Sequence, residues 1–182
     1  MSRSLGVMRA LRRLFQSAAA STPSRSRSRS QASTQSNQAG PAQSGSTATI
    51  EIDVPSREAL TITYAPSRDG APDAGEIVWT WVPYVERDGR GKDRPVLVIG
   101  RQSANRVFVV KLTSRAHDGD HDYLPIGSGP WDSKGRDSWV DIDQVYSVHN
   151  AGMRREAAAL DLDRFVRVAH ALSKRYGWQV GE

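Results

Sequence analysis

A small curled barrel of short β-strands, closed by one C-terminal helix and preceded by a basic tail without a fold, is what this 182-residue sequence predicts. Three observations carry that prediction. From residue 48 onward, short apolar or alternating runs are separated by turn residues, with no helical pattern between them. One stretch near the end has a clear 3.6-residue apolar period. The first 47 residues hold too little apolar surface to offset the entropy of ordering them.

The tail comes first. Residues 3–19 have a helical rhythm, with Leu5, Met8, Leu11, Leu14 and Phe15 on one face and Arg9, Arg12 and Arg13 off it. A basic amphipathic helix suits a membrane surface or a targeting segment; a transient helix on an unfolded tail is the reading preferred. Residues 20–47 are Ser, Thr, Gln, Ala, Gly and Pro with an Arg-Ser repeat at 25–30, a composition of disordered linkers. ATIEIDV (48–54) and LTITY (60–64) alternate as half-buried strands do, and read as an accessory pair, either a hairpin padding the domain or part of its sheet. PSRDGAPDAG (66–75) is a turn-rich linker. Three domain segments follow from this: 1–47 tail, 48–74 accessory pair and linker, 75–180 barrel.

Within the barrel segment, EIVWTWV (76–82) is apolar on both faces and reads as a central strand. PVLVIG (95–100) and RVFVVKL (106–112) are continuous buried strands, and SWVDIDQVYSV (138–148) is one alternating strand. Strands joined by tight turns, with no helical crossovers, favour a barrel over a βαβ sheet. The helix runs to about Tyr176, capped by Asp161 or Asp163. Its stripe is Leu162, Phe165, Val166, Ala169, Leu172 and Tyr176. Lys174 and Arg175 complement the dipole, and Gly177 supplies the left-handed stop.

Composition removes several classes of function. The chain has no cysteine, which excludes disulfides, zinc–thiolate sites and cysteine nucleophiles. A cytoplasmic home fits that usage, and no apolar run approaches the roughly 18–20 residues needed to span a bilayer. The net charge of +5 comes from the tail, whose seven arginines stand without any Asp, Glu or Lys through residue 50. Beyond it, 18 basic residues face 20 acidic ones, so any site for a polyanion has to be local.

Four clusters carry polar chemistry. YVERDGRGKDRP (84–95) is a glycine-punctuated loop whose Arg87, Arg90, Lys92 and Arg94 match phosphate oxygens, although Glu86, Asp88 and Asp93 balance them. Arg94 differs, because it abuts Pro95 at the head of a buried strand. KLTSR (111–115) presents Thr113, Ser114 and Arg115 where a strand stops, as many ordinary turns do. HDGDHD (117–122) has the composition of a metal site. However, His117 and His121 meet only on a helix, which Gly119 disfavours, so no metal and no cofactor are expected. Asp141, Asp143 and Gln144 lie on the last strand, the two carboxylates on one face by period-2 spacing.

Taken in order, GEIVWTWVP (75–83), DRPVLVIG (93–100), VFVVKLTS (107–114) and SWVDIDQVYSV (138–148) resemble the four strand motifs of the MazF/PemK family of toxin ribonucleases from bacterial toxin–antitoxin pairs, over residues 75–178. The resemblance implies an SH3-like barrel with a C-terminal helix, usually a homodimer. It implies a metal-independent endoribonuclease that cuts single-stranded RNA, by 2′-OH attack, to a 2′,3′-cyclic phosphate and a 5′-hydroxyl. It also implies a cognate antitoxin that threads through the RNA groove, and DNA binding within the toxin–antitoxin complex. The family's arginine before proline maps onto Arg94, and its strand-end hydroxyl onto Thr113. A guanidinium is always charged, so Arg94 suits a phosphorane and not a general base. Thr113 suits a phosphate or leaving oxygen. Arg90, Lys92, Ser114, Arg115, Asp143 and Gln144 are the expected RNA-binding residues. His117, His121 or Asp143 stand open as the group that takes the 2′-OH proton, and Trp79 and Trp81 as base-stacking or core rings. The chain departs from the motif at Asp141, where some members carry arginine, and in a long insertion (116–137) that is acidic in its first half. A non-catalytic barrel that binds nucleic acid or protein is the alternative; a DNA-binding regulator acting through the tail rests on charge alone.

Overall fold

Valine, isoleucine and aromatic residues at alternate positions build most of this molecule. The computed structural model describes residues 40, 42–67, 71–86 and 88–181, except the side chains of 155–157. Its strands are β1 (Ile50–Ile52), β2 (Thr61–Ile62), β3 (Glu76–Pro83), β4 (Gly91–Arg101), β5 (Arg106–Thr113), β6 (Tyr123–Gly127), β7 (Ser138–Asp141), β8 (Val145–His149), β9 (Met153–Ala159) and β10 (Gln179–Val180), with one α-helix, α1 (Leu162–Tyr176). Six strands lie side by side in the order β1-β8-β5-β4-β3-β9. β7 pairs with the end of β5, and β6 pairs with β7. All these pairings are antiparallel, while β2 and β10 form a separate parallel pair.

Period-2 alternation splits the core in two. Ile77, Leu97, Ile99, Val110 and Leu112 face α1, whose Phe165, Val168, Ala169 and Leu172 are buried against them. Their neighbours Val78, Val96, Val98, Val107, Val109, Tyr146 and Val148 fill the concave side of the sheet. The sheet curls far enough for its two sides to touch. Thr80 in β3 donates its hydroxyl to Gly152 O at 2.9 Å, which leaves Thr49, beside β1, to donate to Thr80 at 3.0 Å.

The helix follows its sequence signals. Asp161 caps it by accepting from Arg164 N at 3.0 Å, and Gly177 ends it with φ 77°. The buried stripe uses Val168, while Leu162 at its start is half exposed.

Some expectations are corrected and others are not reached. Residues 1–39 of the tail, with the 3–19 helix and the Arg-Ser repeat, lie outside the described residues, as does Arg87. Residues 42–48 pack on the sheet, because Arg106 binds them: its guanidinium donates to Ser46 O at 2.9 Å and Ala48 O at 2.6 Å while gripping Ser147 Oγ at 2.7 Å. β1 and β2 do not pair with each other. β1 joins the main sheet on β8, and β2 pairs with β10. The loop expected at 84–95 is shorter, since β4 begins at Gly91, where the Trp81 ring leaves no room for a Cβ. The single strand expected at 138–148 is two, because Asp141 Oδ1 accepts from Asp143 N at 2.9 Å and turns the chain. Neither β6 nor β9 was expected. The latter, MRREAAA, lacks the β-branched residues that mark strands and is recruited by the open edge of β3.

Candidate active-site cleft

Pro95 shapes the site. Pairing of β4 with β5 ends at Val96↔Lys111, and the next β4 residue has no N–H to offer the ladder. Continued by two residues, the same register would set Arg94 opposite Thr113. There a cleft of about 270 Å³ opens, lined by both of these residues, by Lys92, Ser114 and Arg115, and by Trp79. Thr113 Oγ1 accepts from Arg115 N at 3.1 Å, which leaves the threonine proton free for a ligand.

The first cleft adjoins a second of about 510 Å³, which shares Arg94 and Arg115 and adds Tyr84, Arg90 and Lys111. Glu86 also lines the second cleft, while three other carboxylates nearby are engaged. Asp93 binds Arg154 at 2.7 Å, Asp88 binds Arg90 at 2.6 Å, and Asp132 binds Arg136 at 2.8 Å. Hydrogen bonds from Arg136 and then from Lys134 N hold the Asp132 carboxyl below its ordinary range. Among the described residues, Lys92, Arg94 and Arg115 have no ion-pair partner. A mildly acidic domain therefore presents a local cationic strip.

The site residues expected from the sequence separate into groups. Arg94, Thr113, Lys92, Ser114 and Arg115 line the first cleft, and Arg90 lines the second. Gln144 lines neither; its Oε1 accepts from Lys111 Nζ at 2.7 Å. Asp143 stands apart, its carboxylate bound by Arg175 of α1. The two carboxylates expected on one face part company, since Asp141 is buried at 3% exposure and pairs with Lys111 at 3.1 Å. His117 stacks on Tyr123 and lies 3.5 Å from Asp120, and His121 is exposed; neither lines these clefts. Among the described residues no three His, Asp or Glu side chains gather as a metal site requires. Of the paired tryptophans, Trp79 borders the first cleft and Trp81 does not.

Three residues of these clefts escaped sequence reasoning. Lys111 was visible as the one charge within VFVVKL (107–112). Trp131 and Arg136 come from the long insertion, where Trp131 is buried and donates Nε1 to Ser138 Oγ at 3.0 Å. The insertion thus lends a ring and a cation to the first cleft. Its acidic half turns elsewhere: Asp122 binds Arg175 at 2.7 Å.

Tyrosine chemistry beneath the strip is perturbed. Tyr123 is pushed up to about 12, by burial first and then by the charge and hydrogen bond of Asp141. Tyr146 is raised too, by burial first and then by the charges of Glu51 and Asp141. Neither hydroxyl ionises near neutrality. No helix among the described residues is long and apolar enough to cross a membrane.

No curated protein sequence matches the chain. Solved structures it resembles include the MazE–MazF complex of Deinococcus radiodurans, 22% identical over 59% of this chain and 98% of that one, with a TM-score of 0.45. An endoribonuclease in complex with its cognate antitoxin from Mycobacterial species is 16% identical over 59% and 96% of the two chains, TM-score 0.45. The Mycobacterium tuberculosis toxin MazF-mt6 is 16% identical over 56% and 98%, TM-score 0.40. A family model matches residues 73–175, more than half of the sequence and the whole of the cleft region. The chain belongs to the PemK-like, MazF-like toxin family of type II toxin–antitoxin systems.

Proposed function

We propose that this protein is a metal-independent endoribonuclease, the toxin of a toxin–antitoxin pair, acting on single-stranded RNA from the cleft between Arg94 and Thr113. The observation that carries the reading is that these two side chains, from different strands, line one solvent-open cleft. The substrate's own 2′-OH is the nucleophile, so the protein has to position a phosphodiester, stabilise the phosphorane and move protons. Arg94 supplies a planar cation with no ion-pair partner among the described residues, held by the strand that follows it. Thr113, whose oxygen accepts from Arg115 N, donates a hydrogen bond to a phosphate or leaving oxygen. Lys92, Ser114, Arg115 and Arg90 hold the flanking backbone, and Trp79 is an aromatic ring within reach of a base. Gln144 acts through Lys111. The bond between Asp143 and Arg175 ties the turn between β7 and β8 to the helix, so the 2′-OH proton leaves by another acceptor. The SH3-like barrel, the homodimer, the cognate antitoxin, DNA binding by the toxin–antitoxin complex and a cytoplasmic setting belong to the same reading, by family membership.

The test is cleavage of a long single-stranded RNA in EDTA. Discrete fragments with 2′,3′-cyclic phosphate ends are expected from the wild type. Arg94→Ala is expected to lose about 10²–10³-fold in rate, as removal of a transition-state charge contact does. Thr113→Val should lose about 10–100-fold, with Thr113→Ser largely active. Wild-type protein that binds RNA and leaves every sequence intact would favour the non-catalytic barrel.

A further inference from the structure

Lys111 is the one charge inside an apolar strand, and its surroundings are built around it. Its Nζ lies 3.1 Å from Asp141 Oδ2, donates to Gln144 Oε1 at 2.7 Å, and meets Tyr146 OH at 3.3 Å. Asp141 is 3% exposed, whereas Lys111 keeps 16% exposure and lines the second cleft with Arg94 and Arg115. By strand alternation Lys111 lies on the same face as Arg94 and Thr113, two residues from the latter. That is about 6–7 Å along the strand, comparable with the spacing of neighbouring phosphates in an extended single strand.

An ammonium has three N–H donors, and here the three contacts are unequal. Asp141 and Gln144 hold it at good distances. Tyr146 is the long contact, and its hydroxyl already donates to Gln144 Oε1 at 2.7 Å, so it loses little by giving up Lys111. One donor is therefore exchangeable, on a side chain that lines a cleft shared with Arg94 and Arg115.

We infer that Lys111 is an RNA-contacting residue, whose third N–H takes the phosphate next to the one held by Arg94 and Thr113. This deepens the nuclease reading and rests on it. Asp141 and Gln144 aim the ammonium; the incoming phosphate oxygen replaces Tyr146.

The test uses the full chain and a 2′-O-methyl oligonucleotide, which lacks the attacking hydroxyl, of a sequence that the wild type cuts. The Lys111→Gln/Asp141→Asn double variant leaves net charge unchanged, so a change in salt dependence reports a lost contact. The slope of log affinity against log salt should become shallower by about 0.7, one single-strand phosphate. Affinity should fall about tenfold or more, while Lys111→Arg keeps most of both. An unchanged slope in a folded double variant overturns the inference and leaves the nuclease reading standing. If that variant does not fold, the wild-type Lys111 ammonium nitrogen signal, assigned by its loss in Lys111→Arg, decides: it shifts on adding the oligonucleotide if the contact exists, and stays put if it does not. A wild type that cuts no RNA overturns the nuclease reading, and a random-sequence oligonucleotide then serves for the Lys111 arm; failure to bind it overturns both.

Discussion

Asp141 stands where the family resemblance leads one to expect an arginine in some members, and it binds Lys111, which lines the second cleft. Its carboxylate is buried, spent on Lys111 at 3.1 Å and on its own turn through Asp143 N. Taking one partner from such a pair strands the other charge. Asp141→Ala is therefore expected to lower the unfolding free energy by about 3–5 kcal/mol, read by urea denaturation. Tyr123 gives a pH test of the same cluster. Its folded-state pKa is about 12 against an ordinary 10.0. Between these values the unfolded chain has lost the tyrosine proton and the folded one keeps it. The contribution is fully present below pH 10 and is lost as pH rises through about 12. Tyr123→Phe should flatten that part of the alkaline fall in stability, measured by denaturation from pH 9 to 12.

Each element places its residues through an interruption. β4 delivers Arg94 where Pro95 ends the ladder, and β5 delivers Thr113 where pairing passes to β7 through Leu112↔Val140 and Thr113↔Trp139. Helix α1 is regular, and its ends are the sensitive points. Gly177 sits at φ 77°, where a Cβ would also press on the Arg57 side chain. Gly177→Ala should cost about 1–2 kcal/mol, seen as a lowered Tm, with RNA cleavage at 25 °C unchanged because Gly177 lines neither cleft.

Across the described residues, the uncharged stretch 42–49 is structural, and the cationic strip is local. Arg106 spends its guanidinium on Ser46 O, Ala48 O and Ser147, and Thr49 bridges to Thr80. Truncation to residue 50 should therefore be less stable than truncation to residue 40 by about 2–3 kcal/mol, several hydrogen bonds' worth, measured by thermal or urea unfolding of the two proteins. Equal stabilities would show that the 40–49 segment adds nothing. The strip itself is expected to make RNA affinity fall steeply with salt despite the domain's slight excess of acid, since the charges that count are those within a Debye length of the phosphates.

Local signals carried much of this protein. The apolar runs of β3, β4 and β5, the Asp161 and Gly177 helix ends, and the Arg94-Pro95 and Thr113-Ser114 motifs are all legible in sequence, because propensity, capping and strand ends depend on neighbours in the chain. Long-range pairing was not. β9 is a strand because β3 had an open edge, residues 42–48 are ordered because Arg106 reaches them, and Asp141 is silent because Lys111 from another strand meets it. Such contacts join residues dozens of positions apart, where the chain's local pattern holds no record of who the partner is. Whether Asp141 and Asp143 share a face turned on a side chain bonding its own backbone, which a period-2 count cannot see.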